Sequence, residues 1–122
     1  MQVRRVYEEP DPRDGVRILV DRIWPRGMTK SAAHLDEKSA AHLDEWCKQI
    51  APSTELRTWY HHEPTLLAEF IDRYQVELQA KERAAALEHL RILAKTQTLT
   101  LLTATKQPDL SHARVLADLL HA

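Results

Sequence analysis

Residues 20–27 read Val-Asp-Arg-Ile-Trp-Pro-Arg-Gly, which puts one carboxylate, two guanidinium groups and an indole within six positions. Paired arginines grip a carboxylate or phosphate through forked N–H donors, and an indole face stacks on a flat or cationic group. Asp21, Arg22, Trp24 and Arg26 therefore form a candidate anion-recognition edge: buried, such groups need partners, and exposed, they meet ligands. The competing reading makes them structural, with Asp21 paired to Arg57 or Arg73 and Trp24 filling the core.

Further candidates lie downstream. Arg57, Trp59 and His62 fall in one segment, with Arg73 and Tyr74 on the next helix. Arg57 sits near a helix start, where its charge opposes the dipole, so an acidic partner is expected to hold it. His112 follows the last apolar run and is a candidate general base, since imidazole titrates near neutrality; Asp21 is the other candidate catalytic group. The bland alternative for His112 is a solvent-facing or capping role. Lys106, at the end of that run, completes the expected ligand-binding set of Arg22, Trp24, Arg26, Arg57, His62, Arg73 and Lys106. No His-Glu-x-x-His or paired-cysteine spacing occurs, so no metal site and no cofactor are expected. Cys47 reads as a mid-helix packing residue, and Ser53 and Thr54 as helix caps.

Three segments read as the strands that position these groups: residues 2–7, 16–23 and 98–105. The second and third carry consecutive apolar residues, as strands covered on both faces do. Residues 8–15, rich in proline and aspartate, form the turn between the first two. The middle of the chain is helical by pattern. Pro52, Ser53 and Thr54 end one helix and cap the next, and Pro64 opens another with an apolar stripe of Leu67, Phe70, Ile71, Tyr74 and Leu78. Residues 83–94 form a further helix, and Asp109 is expected to cap the last. The fold class is α/β: a small three-stranded, mostly parallel sheet packed by about five helices. In such sheets ligands bind beyond the carboxyl ends of the strands, where Tyr7 and Glu8, residues 21–26 and residues 103–106 would meet.

One segment is unusual. Residues 30–37 read KSAAHLDE, and residues 38–45 repeat the octad letter for letter. Two helical copies would add ~12 Å of helix and rotate the face by roughly 80°, so Leu35 and Leu43 cannot share one groove. The second copy, leading into Trp46 and Ile50, is expected to pack natively while the first projects. An uncovered apolar octad is one route to a homodimer.

The chain of 122 residues is read as a single domain, 1–122, of ordinary composition, with 17 basic and 18 acidic side chains and a net charge of -1. Near-neutral charge argues against a nucleic-acid partner. Two glycines are too few for a glycine-rich phosphate loop, so phosphate contacts must come from arginines or helix N-termini. A lone cysteine, no signal peptide and no long apolar run point to a cytoplasmic protein with no membrane partner.

Several blocks carry a family resemblance. Arg4-Arg5-Val6-Tyr7, Leu19-Val20 followed by Asp21 to Gly27, Leu43-Asp44-Glu45-Trp46, Ala51-Pro52-Ser53-Thr54-Glu55-Leu56-Arg57, then Phe70, Arg73-Tyr74, Glu77-Leu78, Leu101-Leu102 and Val115-Leu116-Ala117 together resemble the YeaO-like family, domain of unknown function 488. The likeness runs from residue 4 to about residue 120. It implies an α/β fold and a bacterial cytoplasmic protein, and it brings no activity with it. It also implies one octad where this chain has two. The chain departs from the family pattern at Thr103, where a tyrosine is usual, and at Ser111, where an asparagine is.

Two functions remain open on the residues alone. One is a pocket for an anionic small molecule, such as a nucleotide or phosphorylated metabolite, with catalysis undecided. The other is a non-enzymatic stress or protein-interaction module whose arginines form structural ion pairs.

Overall fold

The apolar run at residues 98–105 becomes a central strand. In the computed structural model, which describes residues 1–26 and 43–121, the strands are β1 (Gln2–Arg5), β2 (Val16–Leu19), β3 (Glu45–Trp46) and β4 (Leu99–Thr103). They pair in parallel in the order β1-β4-β2-β3, so their C-terminal ends share one edge. Val3 and Ile18 both register with Leu101, and every residue of β4 is buried.

Alternation along the strands divides the sheet into two faces. Ile18, Leu99 and Leu101 face the larger core, which four α-helices close: α1 (Thr54–Tyr60), α2 (Leu67–Glu77), α3 (Lys81–Thr96) and α4 (His112–His121). Their anchors are Leu56 and Tyr60, Phe70 and Tyr74, Leu90, and Ala113 with Leu116. Leu19 and Leu102 face the other way and form a small cluster with Val6 and Leu43, flanked by Trp24 and Trp46. On that second face, at the start of β2, a buried ion-pair network joins Asp14 to Arg17 and Arg4. Gly15 precedes β2 with φ +67°, and a Cβ there would lie 2.2 Å from the Thr98 carbonyl oxygen, so only glycine fits.

The three expected strands are present but shorter, and a fourth joins them. Residues 43–50 are not the end of a helix: they form β3 and a 3-10 turn, Lys48–Ile50. The reason is the exposed edge of β2, whose carbonyls require donors. The main-chain N–H of Asp44 donates to the Arg17 carbonyl (2.9 Å), and that of Cys47 to the Leu19 carbonyl (2.8 Å). Cys47 is a buried packing residue as expected, though not a helical one, and burial followed by the Glu45 charge pushes its thiol up to about 11. Four α-helices stand among the described residues, where about five were expected. The last begins at His112 rather than Asp109, which lies in the preceding 3-10 turn, Pro108–Leu110. Residues 30–42, which carry most of the repeated octads and Leu35, lie outside the described residues. No described helix is long and apolar enough to cross a membrane.

Ser53 caps α1 as its sequence context predicts. Its Oγ accepts from the Leu56 N–H (3.1 Å) and donates to Glu77, which also accepts from the Ser53 main-chain N–H (2.8 Å). Ser53→Ala should cost about 1 kcal/mol, the usual value of such a cap, read as a lower urea midpoint. An unchanged midpoint would mean that Glu77 alone holds the helix end.

Candidate functional site

Where the parallel strands end, the chain turns away from the sheet and leaves a cleft of about 890 Å³. The parallel order brings the loop after β2, the end of α1, the loop after β4 and the start of α4 to this one place.

At its base Asp21 and His112 tie the strand ends together. The Asp21 Oδ2 accepts from the Ala104 N–H (2.8 Å), and the Trp46 indole N–H donates to the Asp21 carbonyl (2.8 Å). His112, the first residue of α4, places Nε2 at 2.8 Å from the Val20 carbonyl and 3.6 Å from Asp21 Oδ1. A carbonyl only accepts, so Nε2 carries a proton in this contact. Burial holds the His112 pKa below the ordinary histidine value and outweighs Asp21 and the Val20 carbonyl, which pull it up; Arg57 and His62 push it further down. The pair thus joins β2, β4 and α4, with the Nε2 proton engaged by the main chain.

Arg22 and Arg26 stand exposed on the cleft, and among the described residues neither pairs with a carboxylate. The Tyr7 hydroxyl fixes the second by donating to the Arg26 carbonyl (2.9 Å). Trp24 lines the cleft and also meets Trp46 edge-on at 4.9 Å, so it serves the small core as well as the site. Arg57 reaches Thr54 Oγ1 at 3.4 Å, while its buried Nε has no hydrogen-bond partner among the described residues. The acidic partner expected for it is not found among the described residues. Tyr60 and Phe70, stacked at 4.1 Å, form an apolar wall.

His62 is half-buried, with Nδ1 3.3 Å from Thr105 Oγ1, and it too lies on the cleft. Burial and then the His61 charge lower its pKa, while the Gln107 side chain, hydrogen-bonded to the ring, opposes this. His61 and His62 adopt left-handed backbone, φ 45° and 52°. Each such non-glycine residue costs roughly 1–2 kcal/mol, and strain of this kind gathers at functional sites.

Asp21, Arg22, Trp24, Arg26, Arg57, His62 and His112 therefore meet in one cleft. Arg73 does not: it pairs with Glu69, lies 4.3 Å over the Trp59 ring, and opens on a separate groove. Lys106 is exposed in the turn after β4 and is not part of the cleft wall. Asp21 pairs with neither Arg57 nor Arg73, the examples a structural reading offers, although its carboxylate and carbonyl do hold Ala104 and Trp46. Tyr7 and Thr105 line the cleft at the strand edge where the sequence reading set them, whereas His61 and Gln107 were not among its expected site residues. Both departures from the family pattern, Thr103 and Ser111, open on the cleft. Among the described residues no three His, Cys, Asp or Glu side chains converge as a metal-binding set.

A family model described as the inactive DUF488-N3 subclade matches residues 1–122. An uncharacterized protein of Mycobacterium tuberculosis is 49% identical over 121 residues, covering 99% of this chain and 93% of its own, and a Mycobacterium bovis protein matches equally. The uncharacterized protein YeaO of Escherichia coli is 43% identical over 122 residues, covering 100% of this chain and 97% of its own. No solved structure matches the chain.

Proposed function

Because the chain belongs to the inactive DUF488-N3 subclade, we propose that its strand-end cleft binds a small anionic molecule without transforming it. The observation that carries this reading is the charge of the cleft. Among the described residues Arg22, Arg26 and Arg57 face it with Asp21 as the one carboxylate, and no ion pair to a carboxylate neutralises the three arginines. Arginine forks in a concave, partly apolar setting suit a carboxylate or phosphate attached to an organic body.

Catalysis is not part of the proposal. The His112 Nε2 is not the free nitrogen of a general base, because it holds its proton against the Val20 carbonyl. The substitutions at Thr103 and Ser111 alter the same walls. The lone buried thiol of Cys47 and the family resemblance favour a cytoplasmic setting.

The test is calorimetric titration with a panel of nucleotides and phosphorylated metabolites. Arg22→Ala and Arg26→Ala should each weaken the best binder by about tenfold or more, the value of a charge-assisted hydrogen bond. Both side chains are exposed, so unfolding midpoints should hold. Unchanged affinity in both variants would overturn the proposal.

A further inference from the structure

We propose that the cleft selects a dianionic head group of the phosphomonoester class and that its binding draws a proton onto His62. The inference rests on the cleft being a binding site at all, and it says what that site prefers. Among the described lining residues three guanidinium groups face one carboxylate, a surplus of two positive charges that matches a dianion better than a monocarboxylate. The volume of about 890 Å³ lies in the range of sites for drug-sized organic ligands, so the head group belongs to an organic molecule rather than a bare ion.

His62 is built to take the proton. Its ring sits 5.7 Å from that of Tyr60, and the left-handed backbone at His61 and His62 places it on the cleft in place of a continuing helix. Thr105 Oγ1 meets Nδ1, and the Gln107 side chain also hydrogen-bonds the ring. A hydroxyl and an amide each offer an acceptor oxygen, so a charged imidazolium keeps both partners without rearrangement.

The groups facing His62 come from every side. They are Asp21 after β2, Arg57, Tyr60 and His61 from α1 and its end, Thr105 and Gln107 after β4, and His112 of α4, with Arg22 and Arg26 on the rim. Burial and then the neighbouring His61 hold the His62 pKa below the ordinary histidine value, and the Gln107 hydrogen bond and Asp21 only partly compensate. An arriving dianion reverses that balance, because an opposite charge close by favours the protonated ring.

Two calorimetric measurements test this on the full chain. Sulfate is a dianion that does not titrate where histidine does. Titrated near neutral pH in buffers of different ionisation heat, it should bring uptake of about half a proton per anion bound. His62→Asn keeps a residue tolerant of left-handed backbone and should abolish that uptake while sulfate still binds. At mildly alkaline pH phenyl phosphate should bind about tenfold more tightly than benzoate. Sulfate binding without proton uptake in the wild type overturns the proton step, and uptake that persists in His62→Asn overturns its assignment to His62. Equal affinity for benzoate and phenyl phosphate overturns the dianion preference. Those results leave the cleft itself standing. If none of the three anions binds, the underlying cleft reading falls and this inference falls with it.

Discussion

Asp14→Ala is expected to lower the unfolding free energy by about 3–5 kcal/mol, the cost of breaking one side of a buried ion pair. The side chains of Asp14 and Arg17 are each only 1% exposed, and the carboxylate also takes both oxygens' bonds from Arg4 Nη1 (2.9 and 3.1 Å) and one from the Asp11 N–H (3.1 Å). Arg4 can still turn to Glu8, its partner at 2.8 Å, whereas Arg17, buried on the sheet, loses the Asp14 carboxylate in a site closed to solvent. Asp14→Asn retains an acceptor for Asp11 and should lose less. Burial raises the Asp14 pKa, but the Asp11 N–H and then the Arg17 and Arg4 guanidinium groups outweigh it and hold the carboxyl below its ordinary value. Its contribution is therefore complete above the unfolded carboxyl range and disappears as the pH falls through the folded value. Urea unfolding followed by far-ultraviolet circular dichroism reads both effects. A loss under about 1 kcal/mol for Asp14→Ala would mean that the network is not a stabilising unit.

This network was invisible in the sequence for a definite reason. Asp14 stands in a turn-like stretch and Arg17 in an apolar run, and neither local pattern says that the two meet. Arg17 was a warning in hindsight: a charged residue inside a strand covered on both faces needs a partner. The same strand explains the misread edge. β3 has two residues and no alternation to detect, and its existence depends on the carbonyls of Arg17 and Leu19 needing donors. Such a need arises only after β2 has formed. The long apolar segments were legible throughout, because the α2 stripe and the β4 run bury themselves by period alone.

The cleft was legible where chain order and space coincide. Residues 21–26 follow β2 directly, and His112 follows β4 after one turn, so the parallel topology brings them together without further information. Arg57 and His62 arrive because α1 ends at the same edge. Arg73 could not be sorted in advance, since its position one turn along α2 decides between the cleft and the groove beside Trp59, and helix rotation is set by packing. As consecutive residues of a continuing helix, His61 and His62 would face different directions. Instead the helix stops at Tyr60, and left-handed backbone places both on the cleft.

His112→Ala is expected to cost about 3 kcal/mol near neutral pH, from a cavity beside Tyr74 and a Val20 carbonyl left without its donor. The variant should also change how stability depends on pH. Burial makes the folded protein hold the His112 proton less tightly than the unfolded chain does, so the unfolded state gains protons first as the pH falls. Wild-type stability should therefore decline from the ordinary histidine range downward until the folded pKa is reached. His62, lowered mainly by burial, adds to the same decline. His112→Ala should flatten this limb to the part that His62 leaves, while the decline at the lower pH set by Asp14 stays in place. Urea midpoints measured across the histidine and carboxyl ranges separate the two, and an unaltered slope would remove His112 as the titrating group. Binding then divides structure from chemistry. If the Nε2 proton serves Val20 and not the ligand, folded His112→Ala should still take phenyl phosphate with near-wild-type affinity. A collapse of binding in a folded variant would instead put His112 in contact with the anion.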